Sequence, residues 1–143
     1  AKLLPANASQ RAQAIRAMVF VAANCYAAIG VIDYPERWHG KGDKDADERL
    51  RETLRKGARR RLHKLWCVFA DTFAADKQAG FLFGEQLGAA DVLAAVVSRW
   101  SGARKHLAKQ RPALHAILLR IEAHPTVAPV IERHWGAGTV SGP

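Results

Sequence analysis

The apolar residues of this chain recur mostly every three or four positions, which is the spacing of an amphipathic helix. The first such segment covers residues 9–30, with Ser9 as a suitable N-cap and Gly30 as a suitable stop. The stripe that we expect to face the core consists of Ile15, Met18, Val19, Ala22, Tyr26 and Ile29. Because further apolar residues lie off this stripe, the helix is expected to have two neighbours, or one neighbour and a partner chain.

The same spacing predicts four further helices, and no segment has a convincing strand pattern. Their predicted ranges are 47–75, 88–107, from Pro112 to the residue before His124, and 126–135. The segment 88–107 is apolar on all sides, so we expect it at the centre of the bundle. The pattern therefore predicts an all-α fold, a bundle of about five helices.

Length and composition place the chain among globular proteins with one domain. It has 143 residues and a net charge of +9, and we expect one helical domain over residues 1–135 with a flexible tail over 136–143. No apolar run approaches the roughly 20 residues of a membrane span, so no membrane segment is predicted. The two cysteines lie in helical patterns and not in a disulfide framework, which favours the cytoplasm.

The start of the third predicted helix has its own cap. Gly88 stands where an N-cap belongs, and Asp91 follows three residues later, the spacing at which a carboxylate reaches back to the N-cap amide. Leu87 and Val92 are placed to form a hydrophobic staple across this start. We predict a structural role for Asp91 and not a catalytic one.

The second predicted helix carries the strongest charge feature of the chain. Its basic residues are Arg49, Arg51, Arg55, Lys56, Arg59, Arg60, Arg61 and Lys64. Such a face is usually solvated, and it is also suited to an acidic partner or to weak contact with nucleic acid. No aromatic residues stand between the arginines, so we predict no specific nucleic-acid binding.

The candidate chemistry is sparse. The six histidines show no metal-ligand spacing, so no metal site is predicted. Cys25 and Cys67 are interpreted as inert core thiols, because apolar helix residues surround both of them. No serine lies in a nucleophile-elbow motif, and we assign no catalytic residue.

Several segments, in their order along the chain, resemble the helical C-terminal domain of bacterial-type glutathione S-transferases. They are Leu4-Pro5, residues 10–14 (QRAQA), 33–38 (DYPERW), 88–91 (GAAD), 97–100 (VSRW) and 120–127 (RIEAHPTV). The family usually has Ser or Thr where this chain has Gly88. The resemblance covers the chain from about Leu3 to about Trp135.

The resemblance implies that this domain binds a hydrophobic electrophile and that glutathione, the co-substrate, is bound mainly by an N-terminal thioredoxin-like domain. That domain is absent from the sequence, so no cofactor is expected on this domain alone. By the resemblance, the residues expected to line the electrophile site are Met18, Val21, Asn24, Tyr26 and Trp100. The family also implies a homodimer through the first two helices.

A second interpretation is a non-catalytic interaction module. Free-standing domains that look like this one dock protein partners in translation-factor and aminoacyl-tRNA-synthetase assemblies. The net charge of +9 fits that interpretation, whereas residues 33–38 fit the enzyme better.

Overall fold

A computed structural model describes residues 3–39, 44–74 and 80–136 of the chain. Within these ranges the protein has six helices and no strand, which confirms the all-α prediction, with one more helix than the predicted five. The helices are α1 (Ala8–Asp33), α2 (Lys44–Phe73), α3 (Ala89–Val97), α4 (Ala103–Gln110), α5 (Pro112–Glu122) and α6 (Ala128–Trp135). A short 3-10 helix, Pro35–Trp38, follows α1.

Helix α1 begins earlier and ends later than its sequence pattern predicts. The Asn7 side chain caps it, with Oδ1 accepting a hydrogen bond from the Gln10 amide at 3.1 Å. Asn7 takes the capping position in place of Ser9 because it has the extended backbone that a cap requires. The helix also continues through Gly30, where an added Cβ would meet nothing within 4 Å. Its middle, Val21–Tyr26, is π-helical.

The predicted core stripe of α1 is wrong for most of its members. Ile15 is 44%, Val19 58% and Tyr26 56% exposed, and only Ile29 of that stripe is buried. The buried face instead consists of Ala14, Ala17, Val21, Cys25, Ala28, Ile29 and Ile32. Both faces of α1 are apolar, and its small alanines allow neighbouring helices to approach closely, so the alanine face is the one buried.

The fully buried side chains of helix α2 all lie in its second half. Leu62, Trp66 and Phe69 are fully buried, whereas no residue from 47 to 61 is buried and Leu50 is 43% exposed. Of the predicted stripe, Leu62, Phe69 and Phe73 are buried, Leu54, Ala58 and Leu65 are half-buried, and Leu50 is exposed. Ala58 and Leu65 pack against the core. Its predicted end at residue 75 lies outside the described residues.

The predicted helix 88–107 is two helices and not one. Ser101 and Gly102 have φ angles of 55° and 75°, a left-handed conformation that interrupts a helix and that glycine adopts without cost. The break produces the sixth helix. Helix α3 lies against α1 and α5 and buries Ala90, Ala94 and Ala95, so its predicted central position is confirmed.

The bounds of the C-terminal helices agree closely with those predicted from the sequence. Pro112 stands in the first turn of α5, as predicted. Helix α6 begins at Ala128, two residues after the predicted start. The tail predicted over 136–143 lies outside the described residues, except for Gly136.

Among the helices in the described part of the chain, one, Ala8–Asp33, is long and apolar enough to cross a membrane, whereas the sequence analysis predicted no such segment. This is weak evidence for a membrane span, because the core helix of a soluble protein and a signal sequence pass the same test. In this structure the helix packs against α2 and α3.

Candidate functional site

The Asp91 carboxylate joins the start of α3 to the segment before it. Oδ2 accepts a hydrogen bond from the Gly88 amide at 2.8 Å, the bond expected from the three-residue spacing. Oδ1 accepts a second one from the Leu82 amide at 2.8 Å, which the spacing did not predict. Burial raises the pKa of Asp91, against the effect of these hydrogen bonds. Both oxygens have backbone partners, so the group is structural.

Gly88 replaces the expected hydroxyl residue for a packing reason. The carbonyl oxygen of Leu3 accepts a hydrogen bond from the Ala89 amide at 2.9 Å. A Cβ at position 88 would lie 3.1 Å from that carbonyl oxygen, closer than nearly all real Cβ contacts. The absence of a side chain at this N-cap therefore allows the N-terminal segment to lie against the start of α3.

A cavity of about 400 Å³ lies beside this contact. Its walls come from the N-terminal segment, including Leu4 and Pro5, and from residues 83–88. Leu3 and Leu4 remain 51% and 38% exposed. The segment that resembles an interdomain linker thus forms one wall of this cavity.

A second concave surface, which we call the α1–α2 groove, lies between the first two helices and has a volume of about 460 Å³. Its apolar walls include Ala23, Ala27, Val31, Trp38 and Leu54. This volume is in the usual range for small-molecule sites, which are mostly apolar with a few polar groups.

The polar groups of the α1–α2 groove are few. Asn24 comes from the π-helical segment, and its Nδ2 donates to the Phe20 carbonyl oxygen at 3.3 Å. Of the described residues that line the groove, only Arg61 carries a charge. Gly57 contributes no side chain, and a Cβ there would have no neighbour within 4 Å. The groove is therefore suited to an apolar ligand with hydrogen-bond acceptors or a negative group.

The structure does not bring the five predicted electrophile-site residues together. Asn24 lines the α1–α2 groove, whereas the other four do not. Tyr26 and Trp100 contact each other, with ring centroids 6.0 Å apart. Val21 is 1% exposed and packs within the core. Met18 is half-buried.

The two cysteines differ in their surroundings. Cys25 is fully buried, and burial raises its pKa to about 12, as an inert core thiol requires. Cys67 is only partly buried, and its Sγ lies 3.5 Å from Nε2 of His106. The interpretation of Cys67 as core is therefore wrong. Residues 39 positions apart form this contact, so spacing alone gave no signal for it.

The basic face of α2 is partly neutralised. Arg55 Nη1 lies 2.9 Å from Glu48, and Lys56 Nζ lies 3.5 Å from Glu52. Within the described part of the chain, no group of three metal-ligating side chains is present.

No family model, curated protein or solved structure matches this chain.

Proposed function

We propose that the chain is the electrophile-binding, helical half of a cytoplasmic glutathione S-transferase. It acts when joined to a thioredoxin-like domain that binds glutathione. In the complete enzyme, the thiolate sulfur of glutathione attacks the electrophilic carbon, an S–C bond forms and the leaving group departs with its electron pair. This half contributes a binding surface that orients the electrophile and excludes water.

The α1–α2 groove is the observation that carries the proposal. It offers the apolar walls of Trp38, Val31 and Leu54 to an aromatic or aliphatic electrophile. Asn24 and Arg61 lie in the same groove, where they are suited to nitro, carbonyl or carboxylate oxygens. Asn24 is also one of the residues that the family resemblance predicts at the electrophile site.

The start of α3 gives additional support to the family resemblance. The Asp91 carboxylate caps this helix, and the adjoining cavity lies beside Leu4 and Pro5, which resemble the interdomain linker. A thioredoxin-like domain preceding residue 3 would be positioned near this cavity.

The test is a steady-state conjugation assay with glutathione and a chlorodinitrobenzene. We expect no turnover by the isolated chain, because the family resemblance assigns the binding of glutathione mainly to the thioredoxin-like domain. Fusion to a thioredoxin-like domain should give turnover. Robust turnover by the isolated chain would contradict the half-enzyme proposal.

A groove variant tests the location of the electrophile. Gly57→Leu places a side chain into the α1–α2 groove, and we expect KM for the electrophile to rise roughly tenfold, or 1.4 kcal/mol, with KM for glutathione unchanged. Gly30→Leu is the matched control, since Gly30 also has open space around it but does not line the groove. Equal KM values for the electrophile in the two variants would show that the electrophile does not bind in the α1–α2 groove.

The second candidate function is a non-catalytic protein-interaction module. The exposed apolar row of α1, with Ile15, Val19 and Tyr26, favours it, because such rows often mark protein contacts. A fused protein that folds but conjugates nothing would favour this function over the transferase.

A further inference from the structure

Three side chains with titratable groups meet where α2 packs against α4. His63 and Cys67 lie one turn apart on α2, and His106 comes from α4. The rings of His63 and His106 are stacked, with centroids 4.4 Å apart and planes 12° from parallel. Nε2 of His106 lies 3.5 Å from Sγ of Cys67. A thiol and a base are thus in direct contact.

The turn between α3 and α4 orients the first histidine. Nε2 of His63 lies 3.3 Å from the carbonyl oxygen of Ser101. A carbonyl oxygen only accepts, so this nitrogen carries the proton and donates it. The left-handed conformation of Ser101 and Gly102 gives the turn its shape. The stacked ring of His63 then holds the plane of His106 beside the sulfur.

The charges around the cluster favour a neutral His63. Burial lowers the pKa of His63, and the charges of His106 and Arg59 lower it further, against the hydrogen bond to Ser101. Of the two rings, His106 is the one whose Nε2 contacts Sγ of Cys67, so it is placed to accept the thiol proton. The nearby guanidinium of Arg111 is bound by Asp71, with contacts of 2.6 and 2.9 Å, and this hydrogen bonding is the main cause that raises the pKa of Arg111.

We propose that Cys67 and His106 form a nucleophilic pair that is alkylated by small carbon electrophiles such as α-halocarbonyl compounds. Nε2 of His106 takes the proton from Sγ, and the thiolate sulfur attacks the carbon that bears the halogen. The S–C bond forms as the carbon–halogen bond breaks, and halide leaves with the electron pair. The proton then passes from His106 to water. This site does not depend on the proposed transferase function.

The experiment is alkylation of the full chain by iodoacetamide, with mass spectrometry of the peptides that contain each cysteine. We expect Cys67 to react at neutral pH roughly tenfold faster than a free cysteine, the rate gain expected from stabilising the thiolate. Cys25 is the internal control, since it is fully buried and should stay unmodified. Reaction of Cys25 would report unfolding.

The variants separate a base from a merely structural histidine. His106→Gln should lower the rate of Cys67 about tenfold at neutral pH and move its pH–rate profile to higher pH. His115→Gln is the matched control, because His115 is a half-buried histidine on a different helix, α5. A wild-type rate at or below that of free cysteine would overturn the proposal. So would an unchanged profile in His106→Gln. If His106→Gln does not fold, the alkylation rate of Cys67 in the wild-type chain and its pH–rate profile still decide whether the proposal holds.

Discussion

The Nη2 atom of Arg104 lies 2.8 Å from the Oε1 atom of Glu122, and both side chains are almost completely buried. Nη1 of Arg99 lies 2.8 Å from the same oxygen. Arg104 also donates to the carbonyl oxygen of Ala95 and to Oγ of Ser98. Burial lowers the pKa of Arg104, and the carboxylate of Glu122 opposes this effect. One buried carboxylate on α5 therefore contacts two buried guanidinium groups, that of Arg104 on α4 and that of Arg99 in the turn between α3 and α4.

Glu122→Gln should destabilise the protein by about 3–5 kcal/mol, because it removes the charged carboxylate that contacts the buried guanidinium groups of Arg104 and Arg99. Urea unfolding followed by circular dichroism measures the change. Glu132→Gln on the exposed side of α6 is the control and should change the free energy of unfolding by less than about 0.5 kcal/mol. A loss for Glu122→Gln as small as that of the control would show that Glu122 does not stabilise this cluster.

Asp91→Ala should lower the free energy of unfolding by about 1–3 kcal/mol, because the amides of buried Leu82 and half-buried Gly88 lose their acceptors. The desolvation that raises the pKa of Asp91 offsets part of the gain from these bonds. Asp33→Ala at the exposed end of α1 is the control. An unchanged denaturant midpoint for Asp91→Ala would exclude a stabilising role for this carboxylate.

The sequence predicted the features that depend on local spacing. Asp91 stands three residues after Gly88, and Pro112 marks the first turn of its helix, so both are visible in the chain. The buried face of α1 was not predictable, because the helix has two apolar faces. One carries the large residues Ile15 and Val19, the other carries small residues such as Ala17, and either could pack against the core. The packing of the neighbouring helices determines which apolar face is buried, and the spacing of apolar residues along the chain does not.

The candidate sites depended even more on long-range contacts. The α1–α2 groove combines Asn24 with Arg61, and the nucleophilic pair joins Cys67 to His106. Each pair comes from two helices that only the fold brings together. The break at Gly102 did have a signal, since a glycine within an apolar helical pattern often marks an end.

The protein should lose stability as the pH falls below about 6.5. Burial is the main cause that lowers the pKa of both His63 and His115. The unfolded chain therefore binds more protons than the folded chain between the folded pKa and 6.5. Stability is present above that window and is lost as the pH falls through the folded pKa. Urea midpoints at about pH 7.5 and about pH 5.5 measure this loss.

Variants assign that pH dependence to particular rings. His63→Gln and His115→Gln should each reduce the difference between the two urea midpoints. His134→Gln, at an exposed position of α6, is the control and should leave the difference unchanged. Equal pH dependence in all three variants would contradict the assignment.

The wild-type chain should form a dimer or a weak monomer–dimer equilibrium through the exposed apolar row of α1. Val19 is 58% exposed within this row, and a second copy would remove it from water. Val19→Glu should shift sedimentation to monomer, whereas Val130→Glu, which alters a residue 53% exposed on α6, should not. Repulsion between the arginines of α2 should weaken the dimer at low salt. A wild-type chain that sediments only as monomer at high concentration and moderate salt would exclude this interface.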